Sequence, residues 1–298
     1  MSFSVSVAVP IALCASFLYA ASSSFVRAGI RTTPTVVALS ISLTINVVVL
    51  WALSFSFYDV TFDIWHWRYF IIAGLFAPAL ARFFNYRAIA KLGLNISAPI
   101  VYTNPLVSVF LAMAFLGERL PFWGLVGGFL VILGGIVVGS TKGSGGITFE
   151  KRHLVLPILA AFFYGSSFVF RKLGIDLVAS PLIAAAVTAT ASWVMLILYL
   201  VITQNHRDIH LDRRGIVLFS LAGLASSIAI PLLYLAFRIG NVVIVAPLNN
   251  TIPLFILIIS YIFFREEELF SPRIIGGTAF VVVGVILLTA SHQLGYPR

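Results

Sequence analysis

The sequence is poor in charge and nearly free of cysteine. Asp, Glu, Lys and Arg make up only 10% of its 298 residues, against roughly 25% in a soluble domain. Hydrophobic residues make up 60% and the mean hydropathy is +1.07, so a lipid bilayer, not water, is the expected solvent. The single Cys14 excludes an internal disulfide and a cysteine-based metal site. No acidic residue lies deep in a long apolar run. That absence removes the intramembrane carboxylate that proton antiport usually shares with its substrate. It also removes the paired acids, or the His with an acid, that a membrane-embedded enzyme would need. The net charge of +9 is scattered among connections and forms no basic stripe, so it points to membrane anchoring and away from nucleic acid. The N-terminus has no positively charged n-region, and the first apolar run is read as a retained helix, not a cleaved signal.

What is present is a series of ten apolar runs, at 7–26, 35–57, 69–90, 95–116, 121–140, 154–171, 181–203, 215–237, 242–264 and 271–290. Each is close to the 20 or so residues that a membrane span needs. The connections are too short to hold a soluble catalytic or nucleotide-binding domain. The glycine-rich stretch Thr141 to Gly146 reads as a linker, since no Gly-Lys-Ser/Thr follows it as in a phosphate loop. The chain therefore divides into residues 1–140, a linker at 141–153, and residues 154–298.

The two parts are copies. Ala98-Pro99-Ile100-Val101-Tyr102-Thr103-Asn104-Pro105 recurs as Ala246-Pro247-Leu248-Asn249-Asn250-Thr251-Ile252-Pro253, with Ala, Pro, Thr and Pro offset by 148. Tyr19 and Gly29 match Tyr164 and Gly174. Tyr86 matches Tyr234, and Glu118 matches Glu266. Five spans per copy is an odd number, so the second copy must cross the membrane in the opposite sense. The expected fold is an all-α integral membrane protein of ten transmembrane helices in two inverted five-helix repeats. Secondary transporters are built this way, with the site near the midplane between repeats. Pro99, Pro105, Pro247 and Pro253 remove backbone donors inside spans. Interrupted helices in corresponding positions point to a substrate site.

The run Gly117-Glu118-Arg119-Leu120-Pro121, followed by Gly127-Gly128 and Gly134-Gly135, resembles the end of an EamA-type repeat. Arg265-Glu266-Glu267-Glu268-Leu269, then Gly276-Gly277 and Gly284, fits the same pattern. The chain thus resembles ten-helix permeases of the drug/metabolite transporter superfamily over nearly its whole length. The resemblance implies a central cavity lined mainly by the first four helices of each half, with the fifth and tenth as packing elements. It also makes Glu118 and Glu266 motif residues, read here as structural caps or tethers at helix ends. Gly124 and Gly128, like Gly135 and Gly139, stand four apart. That spacing lets helices pack closely within a bundle or in a homodimer.

Arg82 is the sharpest candidate for substrate binding, a guanidinium near the middle of the third span where charge is costly. Pro78, Arg82 and Asn85 share its helix face, with Tyr86 a turn away. An unpaired guanidinium in a cavity favours carboxylate or phosphate, whose geometry its fork matches. Tyr102, Asn104, Asn249 and Asn250 flank the repeated prolines, and their polar groups can serve a substrate or satisfy freed carbonyls. Tyr19 and Ser22, Tyr164 and Ser167, and Tyr234 complete the expected set. Asn46 reads as an interhelical tie, and Trp193 as ordinary aromatic packing. The alternation His206, Asp208, His210, Asp212 reads as a hydrated loop, and no metal or cofactor is expected.

These residues lead us to expect a secondary transporter of a small polar metabolite, anionic or zwitterionic, such as an amino acid. The coupling expected is facilitated diffusion, exchange, or a proton path through groups other than a carboxylate. A multidrug exporter of hydrophobic cations is the alternative, favoured by the aromatics and disfavoured by Arg82 and the missing acid. A membrane-embedded enzyme ranks last. The expected partners are the lipid bilayer and the substrate, and the expected location is the plasma (inner) membrane. Orientation is open: six loop cations on one side against twelve on the other put the termini outside, whereas the resemblance puts them in the cytoplasm.

Overall fold

The computed structural model describes residues 2–29, 35–92, 97, 100–139, 151–178, 180–203, 212–259, 262 and 272–294. Its elements are α1 (Ser2–Gly29), α2 (Thr35–Phe57), α3 (Ile64–Gly74), a π-helical turn (Leu75–Leu80), α4 (Ala81–Leu92), α5 (Asn104–Phe115) and α6 (Phe122–Gly139). After a 3₁₀ turn (Lys151–Leu154) come α7 (Val155–Ile175), α8 (Pro181–Thr203), α9 (Arg213–Ile239), α10 (Val242–Asn249), α11 (Ile252–Ile259) and α12 (Pro272–Leu294). No strand occurs among the described residues. Six helical stretches there are long and apolar enough to cross a membrane, and four shorter apolar helices accompany them. The all-helical membrane class read from composition therefore holds.

Local chemistry explains where the helices start and stop. Asp63 caps α3 by accepting from the backbone N–H groups of Trp65 and His66, and Asp212 caps α9 by accepting from that of Arg214. Each carboxylate satisfies donors that a helix start leaves without intrahelical partners. The third run departs from the continuous span expected at 69–90. Ala77 is extended there (φ −145°, ψ 124°), between α3 and α4. The cause is Pro78, because a residue before proline is pushed out of the α region.

The repeated proline stretches are broken helices, and in each a threonine takes up one carbonyl beside the break. Thr103 N–H and Oγ1–H both donate to the Ile100 carbonyl, at 3.1 and 2.6 Å. The second copy repeats this, with Thr251 N–H and Oγ1–H donating to Leu248 at 3.1 and 2.8 Å. Pro105 and Pro253 sit in the first turn of α5 and α11, where a missing N–H costs nothing. Pro247 lies within α10, and Pro99 falls outside the described residues.

Close packing comes from glycines at helix crossings. A methyl added to Gly127 would lie 2.7 Å from the Gly284 carbonyl oxygen, and one on Gly134 would lie 2.5 Å from that of Gly277. Gly128 faces Pro247 and Gly135 faces Asn250. These four glycines of α6 therefore pack within the chain, and α6 and α12 form one tight pair. Gly29 and Gly174, matched in sequence, make matched contacts. Gly29 lies under the Phe219 ring of α9, and Gly174 lies under the Phe70 ring of α3.

Candidate functional site

A cavity of about 420 Å³ lies between the halves. It is lined from α1, α2, the π-helical turn, α4, α7, α8, α9 and the two broken-helix stretches, and none of the described lining residues belongs to α6 or α12. Most residues expected to bind substrate meet there. Arg82 and Asn85 come from α4, Tyr19 and Ser22 from α1, and Tyr164 and Ser167 from α7. Tyr102, Asn104, Asn249 and Asn250 line it from the breaks.

The amides at the breaks hold backbone. Asn104 Nδ2 donates to the Val101 carbonyl (2.9 Å), within its own stretch. Asn250 Nδ2 crosses between the halves to the Tyr102 carbonyl (2.9 Å). Buried carbonyls of an interrupted helix need such partners, since bilayer hydrocarbon offers none. Asn249 Oδ1 is buried without a hydrogen-bond partner.

The first two helices tie into the second half. Ser22 Oγ donates to the Ala222 carbonyl of α9 (2.8 Å), and Ser16 Oγ reaches the Leu248 carbonyl (3.3 Å). Asn46 Oδ1 accepts from both Ser226 and Ser227 (2.9 Å each), an α2–α9 tie. Trp193 donates from Nε1 to Thr44 Oγ1 (3.0 Å), which makes it an α8–α2 tie.

Two expected members of the site stand differently. Tyr234 is fully buried and does not line the cavity. Its hydroxyl pairs with that of Thr188, and its ring lies 5.5 Å from the Arg171 guanidinium. The side chain of Tyr86 lies outside the described residues, as do Glu266, His206, Asp208 and His210. Asp212 is the α9 cap, and no group of three metal-ligating side chains occurs among the described residues.

Arg171 is the residue that sequence reasoning misplaced. In the sequence it counts, with Lys172, among the six loop cations of one side. In the structure it lines the cavity and is only 7% exposed. Nη2 donates to the Ala77 carbonyl (3.3 Å), which the extended residue before Pro78 leaves outside regular helix. Nε has no partner. The guanidinium lies 5.8 Å from the Phe168 ring, so aromatic faces flank it on two sides. A signal was available: Tyr164, Ser167 and Arg171 stand at i, i+3 and i+7, along one helix face. Lys172, on the other side of α7, donates to the Phe237 carbonyl (2.6 Å) and pairs with Asp176.

Glu118 caps a helix, but not one of its own half. Its Oε1 and Oε2 accept from the backbone N–H groups of Val242 and Val243, at 3.0 and 2.9 Å. These are orphan donors at the start of α10, where the helix dipole also favours an anion. Burial holds the Glu118 carboxyl above the ordinary carboxylate range, while the two N–H bonds and Lys172 pull the other way.

Comparison with known proteins agrees with this architecture. The EamA-like transporter family matches residues 6–140 and again residues 152–290. An uncharacterized protein of Methanocaldococcus jannaschii, MJ1333.1, is 30% identical over 140 residues, which cover 97% of that protein and 47% of this chain. That relative is thus about one repeat long. A solved crystal structure shares the fold, with a TM-score of 0.82 at 17% identity over 98% of this chain and 99% of the other.

Proposed function

We propose that this chain, which belongs to the EamA-like transporter family, is a secondary transporter of a small polar metabolite, anionic or zwitterionic and of amino-acid size. The observation that carries the reading is the cavity lining. It offers guanidinium, phenol and amide groups and, among the described residues, contains no Asp, Glu or His. A site of that composition suits a carboxylate or phosphate, which arginine binds bidentately. It is a poor site for a lipophilic cation, whose charge would meet no counter-charge. It also lacks a proton-accepting pair of the kind an enzyme would use.

We read the six helices long enough to cross a membrane and the four shorter apolar ones as parts of ten spans. We take them as two inverted five-helix repeats, residues 1–140 and 154–298, joined by a linker at 141–153. Three observations support this. The family matches twice in succession, the two breaks repeat the same threonine hydrogen bonds, and the Gly29–Phe219 and Gly174–Phe70 contacts are reciprocal. Transport then proceeds by rocking of one repeat against the other around the cavity, in the plasma (inner) membrane. Pairing of two chains through α6 and α12 would use their outer faces, because the inward glycines are occupied within the chain.

The test is uptake of labelled amino acids and organic acids into liposomes holding the purified protein. Arg82→Ala should abolish transport of an acidic or zwitterionic substrate while leaving the protein monodisperse. Undiminished transport by that variant would sink the reading.

A further inference from the structure

Resting on the transporter reading above, we infer that the substrate carries two negative charges, as a dicarboxylate or a phosphate monoester does. Arg82 and Arg171 line the same cavity, one from each half. Tyr19 lines that cavity as well, within electrostatic reach of both guanidiniums. Among the described residues, none that lines the cavity is acidic. All ten acids of the chain lie outside the ten apolar runs of the sequence, at 59, 63, 118, 150, 176, 208, 212 and 266–268. The described lining thus holds two positive charges and no counter-charge.

The cost of that arrangement selects the ligand. Charges in a low-dielectric site repel far more strongly than in water, and an unpaired buried charge is expensive. A monoanion neutralises one guanidinium and leaves the other. A zwitterion adds an ammonium for which the lining offers no carboxylate. A dianion closes the balance, one anionic group to each arginine or one phosphoryl group spanning both. Arg171 is not fully spent on structure. Its Nη2 donates to the Ala77 carbonyl and the Tyr19 hydroxyl is a further hydrogen-bond partner, but its Nε donor has no partner.

The inference is tested by binding to the intact protein in nanodiscs, using succinate, glycerol 3-phosphate, lactate and alanine. At neutral pH the wild type should bind one of the dianions at least about tenfold tighter than lactate or alanine. Succinate as the tighter one assigns a dicarboxylate, and glycerol 3-phosphate a phosphate monoester. Arg171→Gln should bring that dianion down to the level of lactate, and Arg171→Lys should restore part of the difference. A phosphate monoester loses its second proton near pH 6, so its binding should strengthen from pH 5 to 7 in the wild type and not in Arg171→Gln. A purely structural Arg171 would lower thermal stability without moving that pH profile. Should Arg171→Gln fail to fold, the wild-type comparison of dianion with monoanion decides alone. Lactate or alanine bound as tightly as both dianions overturns the two-charge inference and leaves the transporter reading standing. Binding of lipophilic cations without any anion, or of none of the four probes, overturns both.

Discussion

The two halves share their scaffold and differ in what they turn toward the cavity. Gly29 and Gly174 each receive a buried phenylalanine from the opposite half, and Thr103 and Thr251 close their breaks with the same pair of bonds. The lining breaks this symmetry position by position. Arg82 faces Ile230 as its counterpart at the offset of 148, and Arg171 faces Val26 at the offset of 145, yet all four line the same cavity. Asn104 has Ile252 as its counterpart, and Asn249 has Val101, again all in the lining. Duplication therefore preserved the backbone devices that keep interrupted helices satisfied in lipid. The polar groups diverged separately in each copy. Each half gives one arginine, from helices that are not equivalent.

The largest effect expected from breaking this pattern is at the arginines. Arg82→Gln makes the first half as uncharged as the second at that position. It should lower transport of an anionic substrate by about 30-fold or more, since truncating one partner of a buried charge pair costs roughly 2–5 kcal/mol. Moving the charge, in the double variant Arg82→Ile with Ile230→Arg, should not restore it if the halves are chemically distinct. Recovery of uptake in that variant would show that only the count of charges matters.

The shared scaffold is broken next. An alanine methyl at Gly29 would come within 2.4 Å of the Phe219 ring, and one at Gly174 within 2.5 Å of the Phe70 ring. Both rings are fully buried and have no room to retreat. Each substitution should destabilise by about 1–3 kcal/mol, the usual penalty of overpacking, and the two should agree with each other. Unequal losses of thermal stability in detergent would show that the repeat is symmetric in sequence but not in packing. Asn250→Ala should cost more than Asn104→Ala, by about 1 kcal/mol. The first strips the Tyr102 carbonyl of a partner from the opposite half, and the second loosens a bond within one stretch.

Much of this was legible in the sequence because lipid narrows the choices. Apolar runs marked the helices, and the repeated prolines marked the breaks. Arg82, Asn104 and Asn249 stood out because polar side chains deep in a span are rare. Arg171 did not stand out, since a cation at a helix end beside a lysine is ordinary. Only the fold shows that α7 turns Arg171 inward and leaves Lys172 to the Phe237 carbonyl. The bend at Ala77 was hidden for a related reason. Pro78 was visible, but the partner that takes up the freed carbonyl comes from 94 residues away. The target of Glu118 was likewise invisible, because its partners, Val242 and Val243, lie in the other half.

That cross-half cap gives the smallest and most specific prediction. Burial raises the Glu118 carboxyl in the folded protein above its ordinary value of 4.5, and the bonds from Val243 and Val242 offset this only in part. A group whose folded value is raised binds its proton more tightly when folded. Its contribution to stability is therefore full below 4.5 and is lost as pH rises through the raised folded value. Glu118→Gln keeps one acceptor for α10 and does not titrate. The melting temperature of the wild type, measured against that variant, should thus fall by a few degrees between pH 4 and neutrality. If the difference instead grows with pH, the two N–H bonds outweigh burial and Glu118 caps α10 as a fully charged group. The same curves on Glu118→Ala, which removes both acceptors, should lie below the other two at every pH. If Glu118→Ala is as stable as wild type throughout, the first half does not hold the second half's broken helix through this carboxylate at all.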